Sequence, residues 1–217
     1  MTLRAPEADP TKQVGTYLNW KEWNELISDP NILCIDTRND YEVKIGTFKG
    51  ATDPKTQVFT QFKEYVETLK GRENEKIAMM CTGGIRCEKA SAYMLAHGFK
   101  HVYHLKGGIL QYLEDVPEGE SLWEGECFVF DQRVGVGHGV EKGGYHMCFG
   151  CRMPLSDEEL KSHHYEEGVT CDYCYDKVSE KKKKSLRQRQ KQIEIARSRG
   201  LEHIGVTRPT HPNNLTN

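Results

Sequence analysis

A short segment rich in cysteine and glycine, lying between an apolar run and a helical pattern, most constrains the fold of this chain. It covers residues 79–89 and reads MMCTGGIRCEK. The apolar residues 76–80 predict a buried strand, and residues 88–97 predict a helix. Strand, tight loop and helix in this order are typical of an α/β domain, in which the loop lies at the carboxyl end of a strand where open parallel sheets place their ligand sites.

Cys81 is the first residue of this loop and the candidate nucleophile. The loop amides are expected to turn inward and form an anion-binding nest, to which the helix N-terminus adds partial positive charge. Arg86 adds a fixed charge, so we predict a lowered thiol pKa and a reactive sulfur. A buried, inert core thiol at a strand end is the alternative interpretation. The predicted anion-binding residues are Thr82, Gly83, Gly84 and Ile85.

Cys87 lies near the predicted helix start and is the rival of Cys81. It can act as a second nucleophile, as a resolving thiol or as a small helix residue. Because a residue after the loop points less directly into the nest, the last two roles are favoured equally.

Strands and helices alternate on both sides of the loop, which predicts a mainly parallel sheet over residues 15–117. Residues 1–14 hold two prolines and no apolar periodicity, so they are expected to be a linker. The predicted strands are 15–18, 31–36, 76–80 and 102–105. The predicted helices are 20–28, capped by Asn19, and 59–69, 88–97 and 109–115.

The pattern changes after residue 117. Residues 123–130 alternate well enough for one strand, and residues 134–144 hold five glycines and predict a loop. We therefore expect residues 118–144 to connect the α/β domain to a separate region.

Two Cys-x-x-Cys motifs, with nineteen residues between them, define that region over residues 145–176. Two knuckles at this spacing predict one tetrahedral zinc site, because each presents two sulfurs about 3.7 Å apart, as Zn–S bonds require. Such a small domain would depend on structural zinc for stability. Four unligated thiols are the alternative. The predicted ligands are Cys148, Cys151, Cys171 and Cys174.

The segment that follows, residues 177–199, carries ten Lys and Arg against two Glu and predicts a basic helix. The remainder of the chain carries a net charge of about −10. An acidic body with a basic helix indicates a polyanion partner, although a solvated helix is the simpler interpretation. The candidate RNA-binding residues are Lys181, Lys182, Lys183, Lys184, Arg187, Arg189 and Lys191. Residues 200–217 are expected to be a disordered tail.

The N-terminus has no apolar segment typical of a signal peptide, and no run reaches the length of a membrane span. Eight cysteines in such a chain indicate reduced, catalytic or metal-bound thiols, which predicts a cytoplasmic protein.

Three stretches of the chain resemble rhodanese domains: residues 33–51, the loop CTGGIR at 81–86, and the turn LKGGI at 105–109. The longer motifs CTGGIRCEK, YHLKGGI and FVFDQR, together with the cysteine knuckles, are similar to the bacterial tRNA uridine hydroxylase branch of rhodanese-like proteins. The resemblance extends over residues 3–205. Thr47 departs from the pattern, because many rhodaneses have a histidine there.

This resemblance implies oxygen-dependent hydroxylation at position 5 of the wobble uridine of tRNA, with molecular oxygen as co-substrate. Cys81 would be the active-site residue and carry a persulfide, and Asp36 and Arg38 would support the site. The reductant or sulfur donor stays open. Family members carry a further domain of about a hundred residues before the rhodanese-like part, so the chain is expected to start at the linker.

Two other hypotheses use the same residues. The first is a sulfurtransferase that carries sulfane sulfur on Cys81. The second is a non-enzymatic, zinc-dependent RNA or protein adaptor in which the loop is vestigial.

Overall fold

The structure is a computed structural model that describes residues 2–200. The chain divides into two compact units between His146 and Met147. Residues 201–217, most of the predicted tail, lie outside the described residues. Among the helices of residues 2–200, none is long and apolar enough to cross a membrane.

The first unit is built on a four-stranded parallel sheet in the order β1-β5-β4-β2. Its strands are β1 (Thr16–Leu18), β2 (Leu33–Asp36), β3 (Gly46–Phe48), β4 (Lys76–Met80), β5 (His101–Leu105), β6 (Trp123–Gly125), β7 (Cys127–Phe128) and β8 (Gly135–Val136). Its helices are α1 (Trp20–Ile27), α2 (Asp40–Val43), α3 (Phe62–Thr68), α4 (Ile85–Ala96) and α5 (Gly108–Asp115). The predicted α/β fold with a parallel sheet is confirmed.

Strand β4 lies at the centre of the sheet, and a hydrophobic core covers each of its faces. Ile77 and Met79 join the core that includes residues of α3 and α4, whereas Ala78 and Met80 join the core that includes residues of α1 and α5. Alternate side chains of a strand point to opposite faces, so covering both faces requires the continuous apolar run seen in the sequence.

Local sequence signals place several elements well. Asn19 caps α1 by accepting the amides of Lys21 and Glu22, and the Glu22 carboxylate accepts the amide of Asn19 in return. This capping box satisfies three amides that a helix start leaves free. The predicted helix over 59–69 is a short 3-10 turn followed by α3.

Two boundaries differ from the predictions. Helix α4 begins at Ile85, three residues before the predicted start at Glu88. The single strand predicted over 123–130 is divided into β6 and β7, because Gly125 has a positive φ of 83° and the strand changes partner there. Strand β6 pairs with β3, and β7 pairs with β8, which lies inside the predicted glycine-rich loop.

The first unit is larger than the predicted domain. Leu3, which is 2% exposed, and Ala8 pack in a core, although residues 1–14 are predicted to be a linker. Cys127, Val129 and Val136 pack in the other core, although residues 118–144 are predicted to be a connection. These contacts arise from tertiary packing, which the amino-acid composition of a segment does not predict.

The second unit contains the cysteine motifs and a long helix. Strands β9 (His146–Met147) and β10 (Pro154–Leu155) form a small sheet, and α6 (Glu180–Ser198) confirms the predicted basic helix. The buried residues of α6 are spaced three or four apart and form one inward stripe. They are Lys183, Leu186, Gln190 and Ile193.

Candidate active site

The sulfur of Cys81 takes the place of a capping side chain at the start of α4. Gly84, the residue before this helix, has no side chain to accept the free amides of the first turn. The amides of Arg86 and Cys87 donate to the Cys81 sulfur instead. Sulfur and helix N-terminus therefore satisfy each other, and negative charge on the sulfur is favoured there.

These contacts lower the pKa of the Cys81 thiol. Burial raises this pKa. The opposing effect is larger and brings the pKa to about 6, and it comes from the Cys87 thiol that donates to the sulfur, from the Arg86 charge and from the two amides. Burial and the neighbouring Cys81 charge raise the pKa of Cys87 well above its ordinary value. Cys87 thus stays a protonated donor, with Thr37 Oγ1 3.5 Å from its sulfur. Its role as a hydrogen-bond donor is not among the sequence-based alternatives.

A buried ion pair holds Arg86 beside the loop. The Arg86 side chain is 3% exposed and the Glu42 side chain is fully buried. Arg86 Nη1 lies 2.7 Å from Glu42 Oε2, and Nη2 lies 2.6 Å from Oε1 and 3.1 Å from Thr82 Oγ1. Burial lowers the pKa of Arg86, but Glu42 raises it by more. The guanidinium is therefore a fixed charge, and its partner Glu42 is not among the site residues predicted from the sequence.

A second buried ion pair lies where β2 ends. Arg38 Nε and Nη2 donate to Asp36 at 2.9 and 2.6 Å, and both side chains are fully buried. Thr47 Oγ1 donates to Asp36 Oδ2 at 2.8 Å, and Arg38 Nη2 donates to the Gly46 carbonyl. Thr47, at the position where the resemblance expects histidine, therefore helps to hold Asp36.

The four residues predicted to bind an anion differ in burial and in their contacts. Thr82 is half-buried, and its carbonyl accepts the amide of Leu110 at 3.0 Å. Gly83 is exposed, and Ile85 is 60% exposed in the first turn of α4. The amides that donate to the sulfur come from the two residues after this set.

The turn before α5 closes on the loop by backbone contact. The Cys81 carbonyl accepts the amide of Ile109 at 2.9 Å. Gly108 has a φ of 70°, and a Cβ there would lie 2.6 Å from the Cys81 carbonyl oxygen and 2.7 Å from that of Thr82. Only glycine allows so close an approach.

Gly108→Ala is expected to destabilise the first unit by on the order of 3 kcal/mol, because the new methyl meets backbone atoms and the backbone conformation is strained. Chemical denaturation followed by tryptophan fluorescence measures this change, since all three tryptophans lie in the first unit. Gly83→Ala is the matched control, because a Cβ there meets no atom within 4 Å among the described residues. Equal effects of the two substitutions would contradict this account.

We expect Cys81 to titrate well below an ordinary thiol. A lowered pKa favours the charged form, so the thiolate is present above pH 6 and is lost as the pH falls through about 6. The ultraviolet absorbance of thiolate, taken as the difference between the wild-type protein and Cys81→Ser, measures this transition. A midpoint near the ordinary cysteine value of about 8.5 would contradict it.

The four predicted metal ligands lie together in the second unit. Their sulfurs are all within 4.8 Å of one another, with Cys148–Cys174 at 4.0 Å and Cys151–Cys171 at 3.6 Å. Four sulfurs around a tetrahedral zinc with bonds of about 2.3 Å are separated by similar distances. The arrangement fits a metal ion.

The predicted RNA-binding residues of α6 divide into two groups. Arg187 pairs with Glu166, Arg189 donates to the carbonyls of Phe149 and Gly168, and Lys183 is buried beside Tyr175. The other four predicted RNA-binding residues are exposed and make no ion pair with any residue in 2–200. They are Lys181, Lys182, Lys184 and Lys191.

A parallel sheet with a stabilised thiol on the loop after its central strand defines a rhodanese-like domain, and the family model described as the rhodanese-like domain matches residues 19–115. A solved rhodanese-like domain protein from Staphylococcus aureus is 23% identical and covers 48% of this chain and 94% of that chain, with a TM-score of 0.38. A rhodanese-related protein from Thermoplasma volcanium is 20% identical and covers 47% of this chain and 95% of that chain, with a TM-score of 0.39.

A narrower family is shown by sequence identity. The chain is 57% identical over 206 residues to a tRNA uridine(34) hydroxylase from Rhizobium leguminosarum. The match covers 94% of this chain and 67% of that relative. The chain belongs to the tRNA uridine(34) hydroxylase family.

Proposed function

We propose that this protein is a tRNA-modifying enzyme that hydroxylates uridine 34, with Cys81 as its reactive residue. The observation that carries this proposal is the Cys81 sulfur, which accepts two helix amides and the Cys87 thiol beside the buried charge of Arg86. Family membership supplies the substrate, because the relative is named for uridine 34 of tRNA.

The residues around Cys81 support a sulfur anion at neutral pH. With a pKa of about 6, the thiol is mostly ionised at pH 7. A persulfide on Cys81 would carry its negative charge on the outer sulfur, toward the same positive helix end and guanidinium. Hydroxylation at position 5 and molecular oxygen as co-substrate are proposed from the family resemblance alone.

The test is nucleoside analysis of tRNA from cells that lack the gene and are complemented with variants. Cys81→Ala is expected to abolish hydroxylated uridine 34, because no other group holds a thiolate at this position. Cys34→Ala is the control, since Cys34 is a buried thiol of the same unit on another strand. Full modification with Cys81→Ala would refute the proposal.

A sulfurtransferase is the second candidate, and the same thiolate in a rhodanese-like domain favours it. Turnover of thiosulfate with cyanide or glutathione separates the two candidates. Brisk turnover, with tRNA modification unchanged in cells lacking the gene, would favour the sulfurtransferase. A vestigial loop in a non-enzymatic adaptor is disfavoured, because the donors that hold the thiolate are all present.

The four-cysteine cluster is proposed to hold a structural zinc ion. Sulfur ligands at tetrahedral spacing leave no open position for substrate or water, which is typical of structural rather than catalytic zinc sites. The reaction therefore belongs to the Cys81 loop. The predicted cytoplasmic location remains a prediction.

The exposed lysines of α6 are proposed to contact tRNA phosphates. Lys181, Lys184 and Lys191 are three and seven residues apart, so they lie along one side of the helix. Replacing these three and Lys182 with Gln should reduce the slope of log affinity against log salt by about 3 to 4, because each of the four phosphates that is no longer neutralised contributes about 0.7–0.9 to the slope. Gln188→Lys, which adds charge to the same exposed helix, should increase that slope.

Filter-binding measurements at several salt concentrations test this expectation. Arg187→Gln is the matched control, because Arg187 is engaged by Glu166 and its replacement should affect stability more than the salt slope. If the quadruple variant keeps the wild-type slope, these four lysines do not contact the tRNA phosphates.

A further inference from the structure

An exposed phenylalanine of the first unit has no role in the proposed chemistry. Phe130 is 66% exposed, the largest fraction among the exposed large hydrophobic residues of the described chain. It lies in the turn between β7 and β8, where the Val129 amide donates to the Val134 carbonyl at 2.8 Å. The ring is therefore presented to solvent by an ordered, hydrogen-bonded turn.

Two further rings support Phe130 from below. Its ring packs edge-to-face on Phe128 at 5.1 Å, and Phe128 packs edge-to-face on Tyr41 at 5.3 Å. Phe128 is only 2% exposed, so the inner part of this column is fixed. Edge-to-face contacts are a preferred arrangement for aromatic pairs and restrict how each ring turns. We call these three rings the aromatic column.

The aromatic column borders the Cys81 loop at two points. Tyr41 precedes Glu42 in α2, and Glu42 accepts hydrogen bonds from Arg86 Nη1 at 2.7 Å and from Thr82 Oγ1 of the loop at 3.5 Å. Burial raises the pKa of the Cys127 thiol, the residue before Phe128, and Thr82 of the loop lies close enough to this thiol to lower its pKa in part.

The charges beside Phe130 do not favour a phosphate. Arg133 Nη2 lies 2.7 Å from Asp131 Oδ2, and Arg133 Nε also donates to Asp131. The turn therefore offers a flat apolar ring flanked by a neutralised ion pair. This chemistry suits the face of a nucleobase, since bases in single-stranded RNA loops are bound by stacking on aromatic side chains.

We propose that Phe130 is a positioning residue on which the pyrimidine ring of the target uridine stacks next to the Cys81 loop. This inference rests on the proposed function, because the position of the uridine in tRNA places it in a single-stranded loop. The stacked ring would be held by the aromatic column, while Cys81 and Arg86 supply the chemistry.

Phe130→Leu and Phe130→Trp separate stacking from general apolar contact. Leucine keeps an apolar side chain but has no flat face, so KM for tRNA should rise about tenfold or more, with a smaller change in kcat. Tryptophan should keep a KM close to wild type. Val58→Ala, which removes another exposed apolar side chain of the same unit, should leave both constants unchanged.

A pair of anticodon stem-loops, one with uridine at position 34 and one abasic there, tests the contact itself. The wild-type protein should bind the abasic stem-loop several-fold more weakly, and Phe130→Leu should lose most of that difference. A Phe130→Leu variant with wild-type KM and an undiminished abasic penalty would overturn the inference. If the wild-type protein binds with an abasic penalty but forms no hydroxylated uridine, the proposed function fails while the stacking contact stands.

Discussion

Replacing Glu42 with Gln is expected to lower the free energy of unfolding of the first unit by about 3–5 kcal/mol, because breaking a buried ion pair leaves an uncompensated charge. The variant keeps the size of the side chain but leaves the guanidinium of Arg86 buried without its carboxylate. Chemical denaturation followed by the three tryptophans, all in the first unit, measures the loss.

The chain offers an exposed ion pair as a control. Arg72 donates to Glu75 through Nε and Nη2, but the two side chains are 41% and 43% exposed. Exposed pairs contribute about 0–1 kcal/mol, because water screens them. Glu75→Gln should therefore cost at most about 1 kcal/mol. If Glu42→Gln lowers the free energy of unfolding by no more than Glu75→Gln does, then burial does not increase the contribution of the Glu42–Arg86 pair to stability.

A double variant separates the stability of the first unit from the reactivity of its thiol. Glu42→Gln combined with Arg86→Met removes both buried charges, so most of the stability that Glu42→Gln removes should return. The pKa of Cys81 should nevertheless rise, because the Arg86 charge is one of the causes that lower it. If the double variant regains the free energy of unfolding and Cys81 keeps its wild-type pKa, then the Arg86 charge does not stabilise the thiolate.

The sequence predicts those parts of the structure that depend on interactions between residues close together in the chain. The predicted bounds of strand β4 and helix α6 agree with the structure to within about three residues, because apolar runs and helix-forming runs act locally. Asn19 is identified from its position before the helix, and its capping contacts span only three residues. These elements carry their signals in adjacent residues.

The start of α4 is predicted wrongly for a physical reason. A glycine before a helix gives no capping signal, and the sulfur that replaces the cap lies on Cys81, at the end of the preceding strand. The predicted loop therefore includes residues that belong to the helix. Arg86, the last residue of that loop, and Cys87, which follows it, supply the amides that hold the sulfur.

Long-range contacts of the site could not be predicted from the sequence. Glu42 and Arg86 are 44 residues apart, and no local pattern joins them. Leu3 packs in a core although its neighbours are polar and proline-bearing. The aromatic column likewise joins Tyr41 to a hairpin more than eighty residues later. Residue types indicated the chemistry of Cys81, but only the fold supplies its partners.

Removal of the proposed zinc ion is expected to unfold the second unit. The buried members of the cluster around the cysteines are Leu155 and three of the predicted ligands, and the other apolar side chains packed on it are only partly buried. A metal would therefore contribute much of what holds this cluster together. Structural zinc in such small domains contributes folding free energy on the order of 10 kcal/mol. Gly150 adds a packing constraint, because a Cβ there would lie 2.1 Å from the Val169 carbonyl, which keeps the first knuckle against its neighbour.

Helix α6 should lose its protection together with the metal. Its inward stripe and the contacts of Arg187 and Arg189 dock it on the second unit, and a free helix of this length is marginal in water. Metal analysis should find one zinc per chain, and Cys171→Ser should abolish it and increase hydrogen exchange in α6. Cys34→Ala, which removes a buried thiol of the first unit, should leave both unchanged. Unchanged exchange in α6 after chelation would mean that apolar packing alone folds this unit, and the cysteine cluster would then need another explanation.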